Sequence, residues 1–243
     1  MTIRRVLYLH GFASSPQSTK ATMLAERLRP HGGILRAPDF NQPDFSTLTV
    51  TRMLGQVDQE LRDLPPGPVA LIGSSLGGFV AVHAAARQHA TTEDTRNPSA
   101  VPALPARIAQ LILLAPAFEF GSNRMRELGP GGIERWRATD RLDVFHHAYR
   151  EQRTVGYALY EDAQRYDAYA LRLTVPTLII YGTRDESVDP ESVERWARGR
   201  AHVTLRPVDD GHQLANSLEL IWRETAKALG LEITRADSPA SGS

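Results

Sequence analysis

The sequence predicts an α/β fold: a mostly parallel sheet with helices on both faces. Three observations predict it. Short, largely apolar runs recur at Val6–Leu9, Pro68–Ile72, Gln110–Leu114 and Thr177–Tyr181. Such runs mark strands buried on both sides, because a half-buried strand would alternate apolar with polar. Segments of helical period separate them, as crossover helices between parallel strands would. Proline and glycine breaks punctuate each change of period.

The elements follow in order. Val6–Leu9 is a first strand, closed by His10-Gly11-Phe12 and a turn-rich loop, Ala13-Ser14-Ser15-Pro16. Ser18 or Thr19 can cap a helix from about Lys20 to Leu28, with Met23, Leu24 and Leu28 on one face. Pro30 and Gly32-Gly33 end it, and Ile34–Pro38 is a second short strand. After a polar loop from Asp39 to Asp44, Ser46 is the expected cap of a helix to about Leu64. Pro65-Pro66-Gly67-Pro68 breaks the chain before the strand ending at Ile72. Phe79–Ala86 begins the next helix, and Thr91–Pro105 reads as a long, exposed and mobile loop.

Gln110–Leu114 is then a buried strand, closed by Ala115-Pro116-Ala117. From Phe118 to Thr174 aromatic and charged residues recur at helical spacing, with Trp136, Phe145, Tyr149, Tyr157, Tyr160, Tyr166 and Tyr169 and the apolar Val144 among the positions. Two or three helices forming a cap over the sheet edge are expected there, with their aromatic rings lining a substrate pocket. Thr177–Tyr181 is another strand, Pro190–Gly199 a helix with proline in its first turn, Val203–Pro207 a last strand and Ser217–Leu229 a last helix. Residues 1–236 read as one domain, with 118–174 as the cap insertion. The small polar tail 237–243 is expected to be disordered.

Composition narrows the chemistry. Lys+Arg and Asp+Glu are both 28 of 243 residues, so the formal net charge is zero and nothing favours a nucleic-acid partner. There is no cysteine, hence no disulfide, no thiolate metal site and no cysteine nucleophile. Met1-Thr2-Ile3-Arg4-Arg5 leads directly into a strand with no signal-peptide pattern, and no apolar run approaches the roughly 18 residues of a membrane span. A cytoplasmic location is the expectation.

The chemistry-bearing stretch is Gly73-Ser74-Ser75-Leu76-Gly77-Gly78, between a predicted strand and a predicted helix. A serine at a tight strand-to-helix turn has its hydroxyl thrust out of the sheet, and glycine two residues away on either side lets the backbone pass. The helix begins with unpaired N–H groups that suit a developing oxyanion. A serine hydroxyl also needs a base, and the base needs an orienting acid. Of eight histidines, His212 lies between the last strand and the last helix, where a loop can reach the sheet's carboxyl edge. The acid is expected after the strand ending at Tyr181. Asp185 is the choice; Asp189 precedes Pro190 and suits a helix cap instead.

The oxyanion donors are expected to be the N–H groups of Leu76 and Phe12. His10 should shape its loop through hydrogen bonds, and His83 should pack. His146-His147, placed on a helix, would point apart and hold no metal. The chemistry needs no cofactor.

The pattern resembles the α/β-hydrolase superfamily along nearly the whole chain. The matching pieces are Leu9-His10-Gly11-Phe12, Gly73–Gly78, Gly182–Val188 and Gly211-His212. More narrowly, Tyr8–Pro16 with Ser18 and Lys20, then Gly73–Phe79, look like the small bacterial serine esterases typified by YqiA. The resemblance implies an α/β-hydrolase fold with a helical cap before the acid-bearing strand, a Ser75-Asp185-His212 triad and a small-molecule ester substrate. Segment 118–174 is longer than the lid of those compact esterases. Within the same fold an acyltransferase, a peptidase or a carbon–carbon hydrolase shares these motifs. A non-catalytic ligand receptor on the same scaffold is the alternative of a different class.

Overall fold

The computed structural model describes residues 1–93, 105–120 and 128–232. Six strands form one parallel sheet: β1 (Arg5–Leu9), β2 (Ile34–Arg36), β3 (Gly67–Ser74), β4 (Ala106–Leu114), β7 (Thr177–Gly182) and β8 (Val203–Val208). Their spatial order is β2-β1-β3-β4-β7-β8, every neighbouring pair parallel. The apolar runs have the predicted cause. Leu7, Leu9, Leu71, Leu111, Leu113 and Ile179 face one core cluster. Val6, Tyr8, Ala70, Ile72, Ile112 and Ile180 face another. The four inner strands β1, β3, β4 and β7 therefore bury both faces, while the edge strands β2 and β8 are only partly covered.

The second cluster is closed by α1 (Thr19–Leu28) and α7 (Leu218–Ala228), through Leu24, Leu28, Ile221 and Trp222. The first is closed by α2 (Val50–Arg62), α3 (Leu76–Glu93) and α6 (Pro190–Ala197). In α6, Trp196 stacks on Phe118 with ring centroids 4.3 Å apart and donates its indole N–H to the Ala168 carbonyl at 2.9 Å. Ser18 caps α1 as expected, accepting from the Ala21 N–H.

Three expectations change. The helix after Asp44 is split. Asp44 caps a short 3-10 turn, Phe45–Thr47, and Thr49 caps α2 by accepting from the Arg52 N–H at 3.1 Å. Ser46 is no cap; its carbonyl accepts from Gly156 N–H at 2.8 Å. The insertion is also not wholly helical. Between α4 (Gly132–Thr139) and α5 (Ala158–Ala163) stands an antiparallel hairpin of β5 (Leu142–His146) and β6 (Glu151–Val155). His146 and His147 are thus at a strand end and not on a helix. Third, α3 extends to Glu93, into the expected loop. The rest of that loop up to residue 104, and the tail 237–243, lie outside the described residues.

The strand order reverses at β1 and β3. The chain leaves β1 for β2 on one side, then returns to place β3 on the other. The carboxyl ends of these two strands therefore carry their loops apart, opening a crevice between them. His10-Gly11-Phe12 and Ser75 follow those two ends. Among the described residues no helix is long and apolar enough to cross a membrane.

One buried titratable group belongs to the packing, as expected from the sequence. His83 on α3 is sandwiched edge-on between Phe79 and Tyr166, centroids 4.5 and 5.2 Å away. Burial pushes its pKa down to about 4, against a weaker opposing pull from Asp167. The unfolded chain then binds the proton more readily than the folded one between about pH 6.5 and 4, so stability from this group is present above that window and is lost as pH falls through it. From pH 7 to 5 the loss is about 2 kcal/mol. Urea unfolding at the two pH values is expected to show a smaller drop for His83→Leu than for the wild type. An equal drop in both proteins would reject this origin.

Candidate active site

The turn after β3 sets the geometry. Ser75 sits between β3 and α3 with φ of 53°, a left-handed conformation rare for a non-glycine residue. It is held on both sides of its peptide. Its N–H donates to the Leu114 carbonyl at 2.9 Å, and its own carbonyl accepts from the N–H groups of Gly78 and Ala117 at 2.9 and 3.1 Å. A side chain at Gly77 would overlap the Leu9 carbonyl at the end of β1. Glycine there lets the turn lie directly over β1, which brings the Ser75 hydroxyl beside the loop bearing Phe12. Ser74, by contrast, is the last residue of β3.

The sequence-predicted base and acid converge on this serine. The Asp185 carboxylate can only accept, so His212 Nδ1 carries the proton and donates to Asp185 Oδ2 at 2.8 Å. His212 Nε2 is then left to accept from the Ser75 hydroxyl at 3.0 Å. The other carboxylate oxygen, Asp185 Oδ1, accepts from the N–H groups of Ser187 and Val188 at 2.9 and 2.8 Å. The Asp185 side chain is 2% exposed and that of His212 19%. Asp189 takes the other predicted role: it caps α6, accepting from Glu191 N–H at 3.0 Å.

The two predicted oxyanion donors lie on the two segments beside Ser75, one directly after it and one after β1. Leu76 is the first residue of α3, so its N–H has no acceptor within its own helix. Phe12 follows β1 and lines the same cavity as Ser75 and His212. Its ring packs against Phe45 and Phe120 at 5.4 and 6.2 Å. His10 holds the loop as expected. Its Nδ1–H donates to the Gly11 carbonyl at 2.9 Å, and its Nε2 accepts from Phe40 N–H at 3.0 Å. Both ring nitrogens are occupied by backbone, which leaves none for a reacting proton.

Several supporting residues have roles that the sequence did not assign. Asp210 is buried and accepts from Gly211 N–H, Asn216 N–H and the Ser217 hydroxyl at 2.8, 2.8 and 2.9 Å. Burial alone would raise its pKa, yet these hydrogen bonds hold it below the usual range. It thereby shapes the loop that carries His212. Lys20 on α1 donates to the Gln213 carbonyl at 2.7 Å, next to His212. A side chain at Gly182 would strike the Asp210 and Gly211 carbonyls, so glycine at the end of β7 lets the histidine loop pass against the acid loop.

Asn41 joins the insertion to the loop after β1. Its side-chain N–H groups donate to the Ser14 carbonyl at 2.9 Å and to Asp39 Oδ1 at 2.8 Å. Its carbonyl oxygen accepts from His146 Nε2–H at 3.0 Å. His146 is fully buried against Tyr149 and Phe45, and burial lowers its pKa. The His147 N–H donates to the Ala13 carbonyl at 3.0 Å, a second tie to the same loop.

A cavity of about 1010 Å³ opens over Ser75 and His212. Of the insertion aromatics, Phe120 and Tyr149 line it. Trp136 and Tyr157 are instead buried inside the insertion, where they meet edge-on at 5.7 Å. Each has core contacts available that a pocket wall would forfeit.

The fold is that of the α/β-hydrolases. An inferred hydrolase from Agrobacterium vitis S4 superposes with a TM-score of 0.77 at 20% identity, covering 93% of this chain and 88% of that one. The α/β hydrolase domain-containing protein 10 from mouse does so with 0.73 at 18%, covering 93% and 89%. The monoacylglycerol lipase of Paleococcus ferrophilus gives 0.64 at 16%, covering 94% and 95%. No curated protein matches the sequence. The model of one family, the uncharacterised protein family UPF0227, matches residues 5–225, and the chain belongs to that family.

Proposed function

We propose that this chain is a serine hydrolase that cleaves carboxylic esters, thioesters included, through an acyl-Ser75 intermediate. One observation carries the proposal: the unbroken series from the Ser75 hydroxyl through His212 to Asp185, at 3.0 and 2.8 Å. Ser75 Oγ attacks the acyl carbon while its proton passes to His212 Nε2. Asp185 stabilises the imidazolium that forms and keeps its Nδ1 proton in place. The N–H groups of Leu76 and Phe12 receive the oxyanion. His212 then gives the proton to the leaving alcohol or thiol, and the acyl group stays on Ser75. A water, deprotonated by the same imidazole, attacks the acyl-serine and releases the acid. The Paleococcus ferrophilus neighbour, a lipase by name, supports the same reaction class on the same scaffold.

The nucleophile assignment is tested with a fluorophosphonate probe. Wild type is expected to be labelled and Ser75→Ala not; equal labelling rejects it. Asp185→Asn should cut kcat on a p-nitrophenyl ester by about 10⁴-fold, because the amide favours the wrong imidazole tautomer. Asp189→Asn, which keeps a capping side chain, should stay within about twofold of wild type. The reverse order would move the acid to Asp189.

Asn41 is a positioning residue in this scheme. It fixes the Ser14 carbonyl two residues beyond Phe12, and with it the course of the loop that presents the Phe12 N–H. One oxyanion donor is worth about 10²–10³ in kcat, and a loosened one loses part of that. Asn41→Ala is expected to lower kcat on the order of tenfold with KM little changed, and to lower the urea midpoint because the Ser14 carbonyl and the buried His146 Nε2–H lose their partner. A rise in KM with kcat intact would place Asn41 in substrate binding instead.

A further inference from the structure

The cavity over Ser75 carries a charge imbalance that ester cleavage does not use. Arg150 closes the β5–β6 turn with φ of 56° and donates its N–H to the His146 carbonyl at 2.8 Å. Arg150 lines the cavity together with His147 and Lys20. Several arginines elsewhere are paired with carboxylates, among them Arg184 with Asp209, Arg206 with Glu224 and Arg36 with Glu60. The Arg150 guanidinium has no carboxylate partner among the described residues.

Lys20 adds to the imbalance. It is 8% exposed, and its ammonium spends one hydrogen bond on the Gln213 carbonyl. Three donors are available on that group. The charge acting on it is Asp210, whose oxygens are already taken by Gly211, Asn216 and Ser217. The carboxylate in the lining, Asp39, is likewise engaged, accepting from the N–H and the side-chain amide of Asn41 at 3.0 and 2.8 Å. The lining thus sets two full positive charges, Lys20 and Arg150, against the one carboxylate of Asp39, and its balance is positive. A guanidinium presents a planar fork that matches the two oxygens of a carboxylate or phosphate. A cavity of one sign draws in ligands of the other.

We propose that the substrate is an acidic ester, carrying a carboxylate or phosphate apart from the scissile bond, and that Arg150 receives this group. The proposal rests on the serine-hydrolase reading above. Lys20 contributes positive potential to the same cavity, and Phe12 and Phe120 supply apolar wall for the carbon chain between. The acidic group can sit on the acyl side or on the leaving group; the recognition chemistry is shared.

Two matched substrate pairs test it and separate those sources. Mono-p-nitrophenyl glutarate is compared with p-nitrophenyl pentanoate, and 3-carboxy-4-nitrophenyl butyrate with 4-nitrophenyl butyrate. The wild type is expected to prefer the acidic member of at least one pair by about tenfold or more in kcat/KM, through KM, with the preference shrinking as salt rises. The pair showing it assigns the side. Arg150→Gln should reduce that acidic-to-neutral ratio by about tenfold, and Arg150→Lys should restore part of it. Equal turnover of both members in both pairs, or a ratio untouched by Arg150→Gln, overturns the proposal. If fluorophosphonate labels Ser75 but no ester turns over, protection from the probe is read instead. Protection by glutarate and not by valeramide, lost in Arg150→Gln, supports the acidic site, and equal or absent protection overturns it. Loss of the serine-hydrolase reading would look different: no Ser75 labelling at all.

Discussion

The site depends on one close passage. The turn after β3 crosses the carboxyl end of β1 with no room for a side chain at Gly77, whose Cβ would fall on the Leu9 carbonyl. That contact fixes how far apart the β1 loop and the serine can be. It also forces Ser75 into a left-handed backbone, a conformation costing about 1–3 kcal/mol in isolation. The surrounding hydrogen bonds offset it: the Ser75 peptide is tied to β4 through Leu114 and to the strand's exit through Ala117. A single strained residue is thus held by β4, by the residues that follow it and by the first turn of α3. The strand-order reversal between β1 and β3 then leaves the crevice open above it.

The remaining groups reach this point along the same edge of the sheet. β7 delivers Asp185, and the loop after β8 delivers His212. These two loops are not independent. Gly182 allows them to touch, the Arg184 N–H donates to the Asp210 carbonyl at 3.1 Å, and the Thr183 N–H donates to Val208 at 2.8 Å. Asp210 and Lys20 complete the arrangement from below, one through three hydrogen bonds to its own loop and the other from α1. Leaving any of these buried groups unpaired would cost more than each bond contributes, so together they favour one loop conformation over its neighbours.

Much of this was legible in the residues because the inner strands of the sheet are buried on both faces. Apolar strands stand out against helices, and the groups named on motif grounds, Ser75, Asp185 and His212, meet in space. The insertion was harder for a physical reason. In β5 burial alternates, with Leu142 and Val144 half-buried, His146 buried, and Asp143 and Phe145 exposed. An aromatic points outward and a histidine inward, so polarity does not follow burial and the strand period is hidden. The spacing of Phe145 and Tyr149 then imitates a helix, whereas Tyr149 actually stacks on His146 across the turn at 4.1 Å. Thr49 was eclipsed by Ser46 because both are good caps, and Gly156 of the insertion claims the Ser46 carbonyl. Asn41 and Lys20 act through partners over a hundred residues away or nearly two hundred, which local pattern does not encode.

The hairpin gains meaning from those long-range ties. Its backbone holds the β1 loop through His147 and Ala13, and its buried imidazole does so again through Asn41. Phe45 packs against both Phe12 and His146, closing the gap between the two ties with apolar contact. A two-stranded hairpin is only marginally stable by itself. Here its turn is fixed to the segment that follows the first strand of the sheet, so its position and that of Phe12 are set together. Whatever side chains the turn presents to the cavity are therefore held in register with the serine. A change in the hairpin's sequence can alter what the cavity accepts while the Ser75–His212–Asp185 geometry, anchored in β3, β7 and β8, stays as it is.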